Sequence, residues 1–137
     1  MRAVKSLFIL YIAIGLSSCG DVDTNGDLDG MWQLMEIEAE DGSVSEEKEN
    51  RKYYSVQQNL ISLRHIGGSG YLCRFQYTND SLIISVIMKE NANIVSIKRR
   101  LVELGFTDTT ERFAIEHLTK KKMILKSTNN RLTLRKF

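Results

Sequence analysis

Few residues in this chain of 137 have the types and spacing that chemistry needs. The two histidines, His65 and His117, each fall in a strand-like stretch. His65 shares its alternation with Ile61 and Leu63, and His117 shares its own with Phe113 and Ile115. Both could face inward, and in a barrel with a cavity they are candidate groups for orienting a small ligand; two histidines so far apart are expected instead at strand ends near solvent or hydrogen-bonded in the core. A zinc site wants three or four ligands, and no His, Cys or acid spacing supplies them. No G-x-S-x-G elbow is present for a nucleophilic serine. The run Gly67-Gly68-Ser69-Gly70 joins strands and lacks a following lysine, so it reads as a turn and not as a phosphate cradle. The carboxylates of Glu46-Glu47-Lys48-Glu49 belong to a solvated loop, whereas glycosidase-type work needs two acids facing across a cleft. No constellation supports an enzyme, a metal site or a cofactor.

Chemistry of another kind is written at the amino terminus. Arg2 and Lys5 precede ten apolar residues, Leu7 to Leu16, a run too short to cross a hydrocarbon core that needs roughly 20. It fits the apolar region of an export signal. The run ends in Leu16-Ser17-Ser18-Cys19, which resembles the bacterial lipobox. That resemblance implies cleavage between Ser18 and Cys19, lipid on the Cys19 thiol and palmitate-type acylation of the new amino terminus. Membrane lipid held through acylated Cys19 is therefore an expected partner. Several acyl chains anchor durably where a single chain does not. Cys73 is then the one free thiol, and its alternation with Tyr71, Phe75 and Tyr77 makes it a small buried hydrophobe.

Behind Cys19 the residues Asp21, Asp23, Asn25, Gly26 and Asp27 begin with the spacing of an EF-hand loop. The twelfth position is Trp32 where a bidentate glutamate belongs, and no helix precedes the loop. Residues 19–29 are expected to be a flexible acidic tether between a leader at 1–18 and one domain at 30–137. Acids directly behind the lipidated cysteine also resemble the surface-export signal of lipoproteins in Bacteroidetes-type bacteria.

The net charge of +2 resides in the leader, because Arg2 and Lys5 are its only charges. The balance of the rest hides an asymmetry: residues 19–50 hold eleven acids and Lys48 alone, residues 51–137 sixteen bases and six acids. Complementary faces of one small protein account for this, and the alternative is an anionic partner such as lipid headgroups or acidic glycan. Nucleic acid does not suit a chain with this leader.

Strand patterns must position these residues. Gly30–Glu38 opens the series, an acidic loop at 39–50 follows, and Lys52–Gln57 and Asn59–Ile66 come next with a change of parity near Gln57-Gln58-Asn59. Tyr71–Thr78 and Ser81–Met88 form the clearest hairpin, joined by Asn79-Asp80. Ile94, Ile97, Leu101 and Leu104 then recur at helical spacing, with Asn93 able to cap the start and Gly105 the end. Thr110–Leu118, Lys122–Ser127 and Arg131–Lys136 close the chain. A mainly β fold follows: a small antiparallel barrel of about eight strands, with one α-helix before the last three.

Gly30-Met31-Trp32 at the start of the first strand is similar to the G-x-W motif of lipocalins. The chain as a whole resembles the lipocalin-like lipoproteins of unknown function from Bacteroidetes-type bacteria. That resemblance implies that Trp32 packs under the closed barrel end beside Gly30, covered by an arginine near the last strand, with Arg131 and Arg135 as candidates. The helix stands before the last three strands here, whereas lipocalins carry it after the barrel. Two functions follow as expectations. One is an envelope lipoprotein whose barrel holds a small apolar or amphipathic ligand, with His65, His117, Tyr71, Phe75, Tyr77 and Phe113 as candidate cavity residues. The other is a non-enzymatic accessory protein with a filled barrel, whose outer face binds an envelope protein complex. Either would sit at the cell envelope, at the outer membrane on its periplasmic or surface face.

Overall fold

The computed structural model describes residues 25–137 apart from Gly67 and Ser69. The leader, Ser18, Cys19, Asp21 and Asp23 lie outside the described residues. Nine strands form one antiparallel sheet: β1 (Gly30–Ala39), β2 (Val44–Glu46), β3 (Lys52–Gln57), β4 (Leu60–His65), β5 (Tyr71–Tyr77), β6 (Ser81–Val86), β7 (Thr110–Leu118), β8 (Lys122–Lys126) and β9 (Asn130–Lys136). Eight of them run β1-β3-β4-β5-β6-β7-β8-β9, and β9 pairs back onto β1 to close a barrel. Closure leaves no row of unpaired backbone groups between these strands. The helix α1 (Ile94–Val102) stands before the last three strands, as its spacing predicted.

β2 is the ninth strand, inside the stretch expected to be an irregular acidic loop. β1 is too long for its neighbour: β3 pairs only with Gly30–Gln33, and β2 takes up Glu36–Glu38 beyond it. This puts Glu36 directly opposite Glu46, a like-charge pair that the sheet tolerates at its exposed margin. A 3-10 turn at Lys48–Asn50 leads from there into β3.

The foot is where β1 begins and β9 ends; the head carries α1 and the β1–β2 hairpin. A bulge and a tight turn set which residues face in. Between Leu34 and Glu36 the register slips by one residue, so Ile37 follows Trp32 and Leu34 onto the inner face and the glutamates do not. Between β3 and β4 the parity change is a two-residue turn, with Gln57 opposite Leu60 and Gln58 at a positive φ of 55°.

At the foot, a 3-10 turn at Gly26–Leu28 lies in the span expected to be tether. Leu28 is fully buried there, and its carbonyl accepts the Trp32 Nε1–H at 2.8 Å. At the head, the Asn93 side chain caps α1 by accepting from the Ser96 amide at 3.1 Å. The helix terminates because Gly105 takes φ +90°, which lets the Gly105 and Phe106 amides donate to the Val102 and Leu101 carbonyls. This turn drives Leu101, Leu104 and Phe106 into the barrel mouth, where all three are buried.

Candidate functional site

The barrel interior is built by every second residue of its strands. Trp32, Leu34, Tyr54, Ile61, Leu63, Leu82, Ile84, Phe113, Met123, Leu125, Leu132 and Leu134 are all at most 1% exposed, so side chains fill the lumen. Leu101, Leu104 and Phe106 form a plug that completes the core from the head. Phe106 lies 6.0 Å from the Tyr54 ring and 5.5 Å from Phe113 between centroids. The Tyr54 hydroxyl donates to the Leu104 carbonyl, and Asn130 Nδ2 donates to the Gly105 carbonyl at 3.1 Å. Lys52 Nζ donates to the Glu103 carbonyl and pairs with Glu47 at 2.9 Å, both side chains being nearly buried. Burial pushes the Glu47 carboxyl up, but hydrogen bonds from Asn50, Lys52 and Ser45, with the Lys52 charge, hold it below its usual value.

The expected cavity residues separate in this structure. Phe113 is wholly core. Tyr71, Phe75 and Tyr77 share the inner face with Cys73 and are partly buried against the core. Burial pushes the Cys73 thiol up to about 12, so it is a packing residue and an unreactive one. His65 keeps the parity of Leu63 but ends β4 in solvent. His117 does not take the inward place that a cavity role would require. A bulge between Ile115 and His117 shifts the register, so Leu118 turns toward the core and His117 is exposed. One sequence does not reveal that bulge, since strict alternation and a single slip differ only beyond Ile115.

The residue over Trp32 is also a correction. Lys136, directly opposite Trp32 in the β1–β9 register, holds its ammonium 4.8 Å from the ring centroid. The same Nζ donates to the Asp27 carbonyl at 2.8 Å. Arg131 instead pairs with Glu116 at 2.6 Å and Glu38 at 3.5 Å on the outer surface, and Arg135 donates to Gln33 Oε1 at 3.2 Å. Sequence parity carried the signal: Leu132, Leu134 and Lys136 alternate on one face, and both arginines lie on the other. Gly30, with φ +129°, lets the Lys136 stem lie close, for a Cβ there would come 3.3 Å from Lys136 Cε.

Three concavities stand out, and all three meet at Tyr71. A trough of about 800 Å³ runs along the outer faces of β3 and β4, with Met31, Tyr53 and Phe137 on one side and Leu72 on the other. A second, of about 650 Å³, lies between Leu72, Met88 and Ile97. A third, of about 320 Å³, lies between the plug and the wall, beside Lys52, His65 and Leu104. His65 thus borders two of the three from the rim, a placement its strand parity did not announce.

The lipocalin-like domain family matches residues 14–137. Among solved structures, the chain is similar to a lipocalin-like protein from Bacteroides uniformis ATCC 8492, with a TM-score of 0.67 and 21% identity. That match covers 82% of this chain and 100% of the other. An uncharacterized protein from Bacteroides eggerthii DSM 20697 aligns with a TM-score of 0.59 and 24% identity, over 80% of this chain and 98% of its own. At these identities the likeness is one of fold. No curated protein matches the chain.

Proposed function

The chain belongs to the lipocalin-like domain family, and from that premise we propose that it is a lipid-anchored, non-catalytic binding protein of the cell envelope that works through its outer wall. The observation that carries the choice of wall over lumen is the filled interior: four aromatic rings and a shell of Leu and Ile occupy the space where a barrel would hold a ligand. A ligand inside would have to displace Leu101, Leu104 and Phe106 together with the hydrogen bonds that fasten them. The roomy, mostly apolar depressions lie outside or at the rim.

The anchor in this reading is lipid on Cys19, supported by the order of basic residues, apolar run, small residues and cysteine in Arg2 to Cys19. The outer membrane is the place proposed for it. Its partner there is a small amphipathic molecule or an envelope protein seated on the wall.

Two measurements test the proposal. Labelled palmitate should enter the full chain and be absent from Cys19→Ser, and label in both would sink the anchor. Residues 20–137, which hold every strand and the core of the described residues, should show the same mass under native and denaturing conditions after lipid extraction. A tightly retained, stoichiometric small molecule that shields Trp32 would return the function to the lumen.

A further inference from the structure

We propose that the outer trough binds a single-chain amphiphile with a carboxylate head, the head on Arg64 and the alkyl chain along the groove between β1 and β5. This deepens the outer-wall reading and rests on it. The register aligns Met31, Ser55, Ser62 and Leu72 in one row across four strands. The two middle residues are small and the two outer ones large, so the row dips at its centre into a channel that follows the strands. One row toward the head, Tyr53 stands opposite Arg64, and the Tyr53 ring meets Phe137 edge-on at 5.9 Å. The channel therefore has apolar sides and one cationic corner.

Three features make this corner more than an ordinary stretch of surface. Met31, Leu72 and Phe137 are 46%, 48% and 77% exposed, which leaves large apolar side chains in water on both sides of the groove. The Arg64 guanidinium makes no ion pair or hydrogen bond among the described residues, although acids are plentiful at the head. Gly70 keeps the corner open, because a Cβ there would stand 2.9 Å from the Leu63 carbonyl and 3.3 Å from Arg64 Cγ.

The ligand class follows from charge and shape. One guanidinium balances one negative charge and offers a planar fork that a carboxylate matches in two parallel hydrogen bonds. An unbranched alkyl chain covers the apolar sides, and the volume lies within the range of about 300–1,000 Å³ that small-molecule sites occupy. Ser55 and Ser62 are directly opposite, so their hydroxyls can bond each other when the chain covers them.

Calorimetric titration of residues 20–137 with monomeric hexadecanoate tests this. Saturable one-to-one binding is expected, weakened roughly tenfold or more by Arg64→Ala, less by Arg64→Lys, and lost in Ser62→Tyr, which fills the channel. Both sites face outward, so urea midpoints should stay near that of the unaltered protein. Trp32 emission should not respond, since the ring lies inside the barrel. Equal affinity for methyl hexadecanoate would overturn the carboxylate–Arg64 contact. Absence of saturable binding would overturn the ligand class and leave the outer-wall reading standing. Binding that ignores Arg64→Ala and Ser62→Tyr but shifts Trp32 emission would place the ligand in the lumen and overturn both.

Discussion

Gly105→Ala is the sharpest test of how the head of the barrel is closed. Gly105 has φ +90°, where a residue with a Cβ is strained by about 1–2 kcal/mol. The added Cβ would also lie 2.5 Å from Leu132 Cδ2 and 3.0 Å from Cδ1, inside the packed wall. Leu132 is fully buried and cannot swing away, so overpacking adds roughly 1–3 kcal/mol. Alanine restricts the unfolded chain and returns about 0.4–1 kcal/mol. The expected loss is about 1–4.5 kcal/mol, a substantial part of the roughly 5–15 kcal/mol that holds a domain together. Urea unfolding followed by the emission of Trp32, the only tryptophan, reads it directly. Leu132→Ala alone should cost about 2–5 kcal/mol through its cavity. The double variant should fall short of the combined losses by at least about 1 kcal/mol, because the second change removes the obstacle the first one meets. A neutral Gly105→Ala, or strict additivity, would refute the close approach of the plug to β9.

Other sites give further expectations. Lys52→Ala should destabilise by roughly 3–5 kcal/mol, since it strands the Glu47 carboxylate in a nearly buried position, and replacing both by apolar residues should recover most of the loss in a urea titration. Because the folded Glu47 titrates below its usual value, its contribution is present above the ordinary glutamate range and disappears as pH falls through the folded value. Stability measured from pH 7 down to pH 3 should therefore decline less steeply in Glu47→Gln than in the unaltered protein. Lys136→Met should cost about 1–3 kcal/mol by removing the cation over Trp32 and the donor to the Asp27 carbonyl, whereas Arg135→Met should fall within about 0.5 kcal/mol. In residues 20–137, Cys73 should react with a thiol reagent only as fast as the barrel opens, and labelling at the rate of a free thiol would show that the residue is not enclosed.

Much of the architecture was legible because single-sided burial imposes period two on strands and the helix has its own period. The hairpin of β5 and β6, the Asn93 cap, the Gly105 terminus and the order of helix and strands were all readable from side-chain type alone. What escaped the sequence were the slips between regular stretches. The bulge after Ile115 turns His117 outward, and the one after Leu34 brings Ile37 inward, yet each changes a pattern by one residue that no local propensity marks. β2 escaped for another reason: Val44-Ser45-Glu46 has almost no apolar content, and it becomes a strand only because β1 outruns β3. At the candidate site, the aromatic and apolar residues were visible, but not which wall of the barrel they occupy. The trough depends on four residues from four strands meeting in one row, information that exists only in the register.

The even number of barrel strands returns the chain to where it started. Phe137 donates its amide to the Met31 carbonyl at 2.8 Å, so the carboxyl terminus is tied beside the entry of the first strand. A reporter or affinity tag fused behind Phe137 would thus crowd the foot of the trough, and would hide the surface it was meant to study. The β1–β2 hairpin offers the opposite vantage point. Gly42, at φ +87°, has nothing within 4 Å of where a Cβ would stand, and it tops the hairpin at the opposite end of the barrel from Phe137. A short epitope inserted there would leave the trough uncovered, and so would report on the protein without hiding the surface in question.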